Sequence, residues 1–174
     1  ALPICTEFAS PIAPVDHPAR SAQHLSPKAA LSYQWREDTV LKTSVGRAVR
    51  YPTVAELYGG TSATASNSTY VNDPNLKPER SWTLEFNAEQ SWGDDRLRWT
   101  VFAEDTRDGL FNQSLPDPSN PSKSISRVQN VSHLTTKGIE AVWQGKGVGH
   151  RDIDLQGSVT WADSRIVSNT GYVR

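Results

Sequence analysis

The chain has 174 residues, a formal net charge of −1, 36% hydrophobic residues and a mean hydropathy of −0.55. That length suits one domain, and a near-neutral balance without a basic stripe excludes a nucleic-acid partner. No segment approaches the roughly 18 consecutive apolar residues of a membrane helix, and Cys5, the single cysteine, excludes an internal disulfide and any cysteine-built metal cluster.

Residues 1–24 read as an irregular tail of no assigned role. Pro3, Pro11, Pro14 and Pro18 interrupt them, and no alternation is present. No basic segment leads into an apolar one as a secretory signal would. An exported chain needs such a signal, so the expectation is a fragment or a trimmed protein. Residues 25–174 are expected to hold the folded part.

Alternation begins at Pro27–Trp35, where Leu31, Tyr33 and Trp35 interleave with Ser32 and Gln34. A period of two marks a strand with one apolar face. A tight turn, Arg36-Glu37-Asp38, leads to a second strand over Thr39–Val49. The third, Ser81–Ser91, sets Trp82, Leu84 and Phe86 against Thr83, Glu85, Asn87 and Glu89, and Trp92 ends the run. After Gly93-Asp94-Asp95 comes Arg96–Arg107, with Leu97, Trp99 and Val101 against Arg98, Thr100 and Glu104. Leu134–Gln144 carries Ile139, Ala141 and Trp143 on one parity. A Gly-rich turn, Gly145 to Arg151, leads to Asp152–Asp163, whose apolar parity holds Ile153, Leu155, Val159 and Trp161. Two long connections, Arg50–Arg80 and Asp108–His133, separate these hairpins.

Two architectures fit alternation alone. One is an antiparallel transmembrane β-barrel segment of about six strands, since about 9–11 alternating residues span a bilayer. The other is a soluble or surface-anchored β-sandwich binding module, such as an adhesin or carbohydrate binder, with tryptophans in its core. The order of connections, short, long, short, long, short, puts all short turns at one end, as in outer-membrane barrels. Trp35, Trp92, Trp99 and Trp143 lie toward the short turns, and Trp82 and Trp161 toward the long connections. Indole suits both lipid and the headgroup layer, so these six form two expected lipid-facing girdles. The opposite parity carries Lys42, Ser44, Glu85, Asn87, Glu89, Arg98, Glu104, Glu140 and Gln156. Those side chains suit a wet lumen or the solvated outside of a sandwich. Loop asymmetry and girdles favour the barrel.

Three stretches add a resemblance. Arg50-Tyr51-Pro52-Thr53-Val54-Ala55-Glu56-Leu57-Tyr58, then Asn75-Leu76-Lys77-Pro78-Glu79, then Thr136-Lys137-Gly138-Ile139-Glu140 follow one another in that order. The series resembles the C-terminal half of the barrel in TonB-dependent outer-membrane receptors, over about Leu25 to Asp163. The resemblance implies a piece of a barrel of about 22 strands in the outer membrane of a Gram-negative bacterium. It implies uptake of a scarce nutrient, most often a ferric siderophore or other metal chelate, driven by the TonB complex acting through a plug that this sequence does not contain. The implied partners are outer-membrane lipid, that complex and the extracellular chelate. Physically, Pro52 ends a strand because it cannot donate to a ladder. Pro78 and Glu79 return the chain to the next strand, and Gly138 permits close backbone approach.

Ligand contact is expected from the long connections. Arg47, Arg50, Tyr51, Tyr58 and Tyr70 lie in or beside the first, and Phe111, Asn112 and Arg127 in the second. Arginine suits an anionic chelate, and aromatic rings suit its organic part. His17, His24, His133 and His150 lack metal-ligand spacing. No nucleophile elbow or phosphate loop is present, so no catalytic residue, resident metal or cofactor is expected.

Overall fold

The computed structural model describes residues 19–59, 62–64, 68–148 and 153–169. Most of the predicted tail (1–18), part of the turn at Gly145 to Arg151, and Asp152 lie outside them. In chain order the elements are β1 (Lys28–Arg36), β2 (Thr39–Arg50), α1 (Val54–Tyr58), β3 (Ser62–Thr64), β4 (Ser68–Tyr70), β5 (Glu79–Trp92), β6 (Asp95–Asp117), β7 (Asn120–Gly145) and β8 (Leu155–Ser168).

All strands join one open sheet. The long strands pair antiparallel in the order β1-β2-β5-β6-β7-β8. Strand β7 shares its far edge between two partners. From Gly145 up to His133 it pairs with β8, and at Ser124–Ser126 it pairs in parallel with β4, which carries β3 beyond it. The six long strands are the six expected from alternation. Gly93, at φ +58°, turns the β5–β6 hairpin in a conformation open to glycine.

The register puts Leu31, Thr43, Phe86, Val101, Ile139 and Trp161 in one row across the sheet. Leu84 and Trp82 follow above Phe86, and Trp99 lies below Val101, all on the same face. Among the described residues no second layer covers that face: Leu31, Trp35, Trp99 and Trp161 are all more than half exposed. The sandwich alternative, which needs those rings inside a core, does not describe this sheet. The buried apolar residues among those described are Leu76, Val128 and Val131, all where the first connection lies on the β6–β7 hairpin.

The upper margin of the apolar face is stepped. On β5 its last apolar residue is Trp82, on β6 Ala103, on β7 Ile139 and on β8 Trp161. Trp82 shares its row with Asp105, Thr135 and Arg165, so the margin drops four residues between β5 and β8. Charged side chains stand just above it: Arg80, Asp105, Lys137 and Asp163.

The second long connection is not a loop. Strands β6 and β7 continue through Asp108–His133 as a ladder closed by Pro118 and Ser119. At the turn, the Asp117 carboxylate accepts from the Ser119 backbone N–H at 2.8 Å and from its hydroxyl at 2.6 Å, an Asx turn entered through proline. Ten residues of strand raise this hairpin about 33 Å beyond Arg107. Alternation fades there because apolar residues stand on both faces, Val131 on one and Val128 on the other, each interspersed with polar ones, so no single parity is apolar. The first connection also holds more than expected, namely α1 and the β3–β4 ribbon.

Candidate ligand face and its loops

The Arg50 to Tyr58 stretch builds a short capped helix. The Thr53 hydroxyl accepts from the Glu56 backbone N–H at 3.2 Å, and Glu56 accepts from the Thr53 backbone N–H at 2.7 Å. This is a capping box. Glu56 also pairs with Arg50 at 2.7 Å. Burial pushes the Glu56 carboxyl up, but the Thr53 N–H, the Arg50 guanidinium and the Thr53 hydroxyl outweigh it and hold the group below its ordinary value.

The Asn75 to Glu79 stretch is a docking strap. Leu76 is fully buried. The Lys77 backbone N–H donates to Asn130 Oδ1 at 2.8 Å, and Asn130 Nδ2 donates to the Lys77 carbonyl at 2.9 Å and the Asp108 carbonyl at 2.7 Å. Glu79 accepts from the Leu110 backbone N–H at 2.8 Å. Arg80 pairs with Asp108, which adopts φ +54°. From the other side, Arg20 donates to the carbonyls of Pro74 and Leu76. The chain before β1, the first connection and the β6–β7 hairpin thus form one hydrogen-bonded block.

The predicted ligand residues divide on this frame. Arg47 lies opposite Trp82 in the ladder and donates to the Leu25 carbonyl at 3.0 Å. Arg50 is engaged by Glu56. Tyr51 sits against His24, with 3.1 Å between its hydroxyl and Nδ1 and 5.6 Å between rings. Tyr58 is half-buried at the end of α1, and Tyr70 lies opposite Ser126 in β4. Phe111 and Arg127 share one face of the hairpin, and Asn112 is exposed on the other. The structure does not gather the eight into one pocket.

A second group lies on the polar face of the wall. Glu85, Asn87, Arg98, Thr100, Phe102 and Glu140 line a shallow hollow. The Thr100 hydroxyl donates to Asn87 Oδ1 at 2.7 Å. Toward the short turns, Glu89 lies between Lys42 at 3.7 Å and Arg96 at 3.5 Å. Glu85 and Arg98 have no ion pair within the described residues, so they present charge to whatever fills the space. Phe102 escaped sequence reasoning because it breaks parity. Its ring lies over Gly138, where a Cβ would come within 2.5 Å of it, and that aromatic-over-glycine pairing across two strands was the available signal.

The TonB dependent receptor-like β-barrel family model matches residues 7–173. No curated protein sequence matches the chain. Among solved structures, the siderophore receptor PirA from Pseudomonas aeruginosa superposes with a TM-score of 0.61 at 19% identity, covering 80% of this chain and 25% of that one. The copper transporter OprC gives 0.63 at 18% identity, covering 82% and 21%. The ferric enterobactin receptor PfeA gives 0.56 at 18% identity, covering 79% and 22%. The chain therefore spans about a quarter or less of these structures. Alternation, a one-layer sheet with opposed faces and the match over nearly its whole length agree: the chain belongs to the TonB-dependent receptor β-barrel family.

Proposed function

We propose that this chain is part of the wall of an outer-membrane receptor that takes up a scarce nutrient, a ferric siderophore or other metal chelate, under TonB drive. The observation that carries the reading is the opposition of the two faces. One is apolar, uncovered and bordered by charge, and the other presents Lys42, Glu85, Glu89, Arg98 and Glu140. A sheet of this kind separates lipid from water. The six tryptophans then meet lipid near the margins of the apolar band. The stepped margin supports this. The four-residue drop, about 13 Å, is complete over the two strand spacings from β5 to β7, and the margin is level from β7 to β8. Strands in such barrels tilt by roughly 35–45°, so a margin parallel to the membrane would step down across the register in this sense.

The hairpin and the first connection face the cell exterior in this reading. Phe111, Asn112, Arg127, Tyr58 and Tyr70 are the ligand contacts it favours, while Arg47, Arg50 and Tyr51 hold the frame. The likeness to the siderophore receptor PirA, the copper transporter OprC and the ferric enterobactin receptor PfeA supports a metal chelate as cargo.

The test uses the intact receptor containing this segment. An epitope tag between Pro118 and Ser119 should be reachable on whole cells. Loss of the receptor should abolish uptake of at least one labelled ferric or copper chelate under metal limitation. A tag reachable only after permeabilisation overturns the orientation, and unchanged uptake of every such chelate overturns the cargo.

A further inference from the structure

The apolar face carries a notch at its charged margin. Val45, Leu84, Ala103 and Lys137 form one row across β2, β5, β6 and β7, with Trp82 and Thr135 in the row above. The small Ala103 between Leu84 and Lys137 leaves a cavity of about 380 Å³, walled by Val45, Trp82 and Leu84 and flanked by Lys137. The cations around it are unequal. Arg80 is held by Asp108, Arg107 by Asp105 at 3.1 Å, and Arg165 by Asp163 at 2.9 Å. Lys137 faces Asp163 across the ladder, but Arg165 already occupies that carboxylate. Asp105 borders the notch and is bonded by both Arg107 and His133, the latter at 2.6 Å. Arg47, opposite Trp82, has no carboxylate partner either but donates to the Leu25 carbonyl at 3.0 Å, whereas Lys137, which lines the notch, is exposed and has no acidic partner among the described residues.

We propose that this notch seats one acyl chain of an anionic phospholipid, with the Lys137 ammonium on its phosphate. The proposal rests on the reading that the apolar face meets lipid. The occupant follows from the two halves of the site. An uncovered hollow over Ala103, walled by Leu84, Val45 and an indole, takes hydrocarbon. A lysine stem can lie along that apolar surface while its ammonium reaches the headgroup layer. There an ammonium without a carboxylate selects an anion, and phosphate is the anion that a membrane lipid presents at this depth.

Native mass spectrometry of the intact receptor, released from micelles doped with phosphatidylglycerol or with phosphatidylcholine of identical chains, tests the site. The wild type should retain phosphatidylglycerol in preference. Lys137→Gln should weaken that retention about fivefold, the effect of one basic residue at a lipid surface, and weaken phosphatidylcholine less, because choline already neutralises its phosphate. Ala103→Leu, which fills the notch without touching charge, should reduce retention of both lipids. Equal retention of the two lipids by the wild type overturns the headgroup site while leaving the lipid-facing reading intact. Undiminished phosphatidylglycerol retention by Lys137→Gln overturns the assignment of Lys137. Retention of neither lipid counts against the lipid-facing reading itself.

Discussion

Replacing Gly138 by alanine tests how tightly this wall is built. The new Cβ would lie 2.4 Å from the Trp161 carbonyl oxygen on β8 and 2.5 Å from Phe102 Cζ on β6. Both distances are far inside van der Waals contact, and the two neighbours differ in kind. The Phe102 ring can turn aside. The Trp161 oxygen belongs to the backbone of a paired strand, opposite Ile139 and next to the Gly138–Ala162 pair, and moves only if the β7–β8 ladder moves. Overpacking of this sort costs about 1–3 kcal/mol. The assay is denaturant unfolding of the intact receptor in lipid vesicles, comparing wild type, Gly138→Ala, Phe102→Ala and the double variant. Gly138→Ala should destabilise by that amount. In the Phe102→Ala background it should still cost at least half as much, because the carbonyl remains. If alanine at 138 is free, or if Phe102→Ala abolishes its whole cost, the backbone contact is not the constraint and the argument fails.

Two further perturbations address the hydrogen-bonded block of α1, the first connection and the β6–β7 hairpin. Glu56 has a lowered carboxyl in the folded state, so its contribution is complete above the ordinary carboxylate range and is lost as pH falls through the lowered value. Amide exchange in α1 of the intact receptor should therefore accelerate on acidification, and Glu56→Gln, which can still cap the helix, should flatten that dependence; an acid response unchanged in Glu56→Gln would refute it. Asn130→Ala removes three hydrogen bonds to the Lys77 and Asp108 backbones, each worth about 0.5–1.5 kcal/mol. Protease cleavage between Val71 and Pro78 should rise at least about tenfold for a local loss above ~1.4 kcal/mol while the barrel stays folded, and an unchanged cleavage rate would show that the strap is held otherwise.

Legibility in the chain followed the solvent on either side of each strand. The six wall strands showed themselves because one parity is apolar and the other polar, as in Trp82-Thr83-Leu84-Glu85-Phe86-Asn87. Beyond Arg107 that contrast ends, and residues such as Asn112, Ser114, Ser124 and Ser126 read as loop although they pair strand to strand. The parallel docking of β4 on β7 was not readable at all, since it joins three-residue segments more than 50 positions apart. Thr53 and Glu56 stand at capping-box spacing, and Arg50 lies within one helical turn and a cap of Glu56. That box fixes Glu56 beside Arg50 and so gives the arginine a carboxylate partner in place of the ligand expected of it. Asn130 had no such cue, because its partner Lys77 is brought to it only by the fold.

The faces of this sheet also constrain its edges. Lys42, Glu89 and Arg96 form a linked group on the polar face, and burying such a group in a dry interior costs several kcal/mol per ion. That face must be wet. The opposite face, with Val159 72% and Leu31 67% exposed, leaves more apolar surface uncovered than a soluble sheet tolerates. That face must be dry. With water on one side and lipid on the other, the hydrogen-bonding groups along the outer edges of β1 and β8 face hydrocarbon over the height of the apolar band, where each unmet group costs several kcal/mol. Only pairing with further strands removes that cost. The composition of the two faces therefore calls for a closed wall, and a closed wall fixes β1 and β8 as strands inside it rather than as free margins.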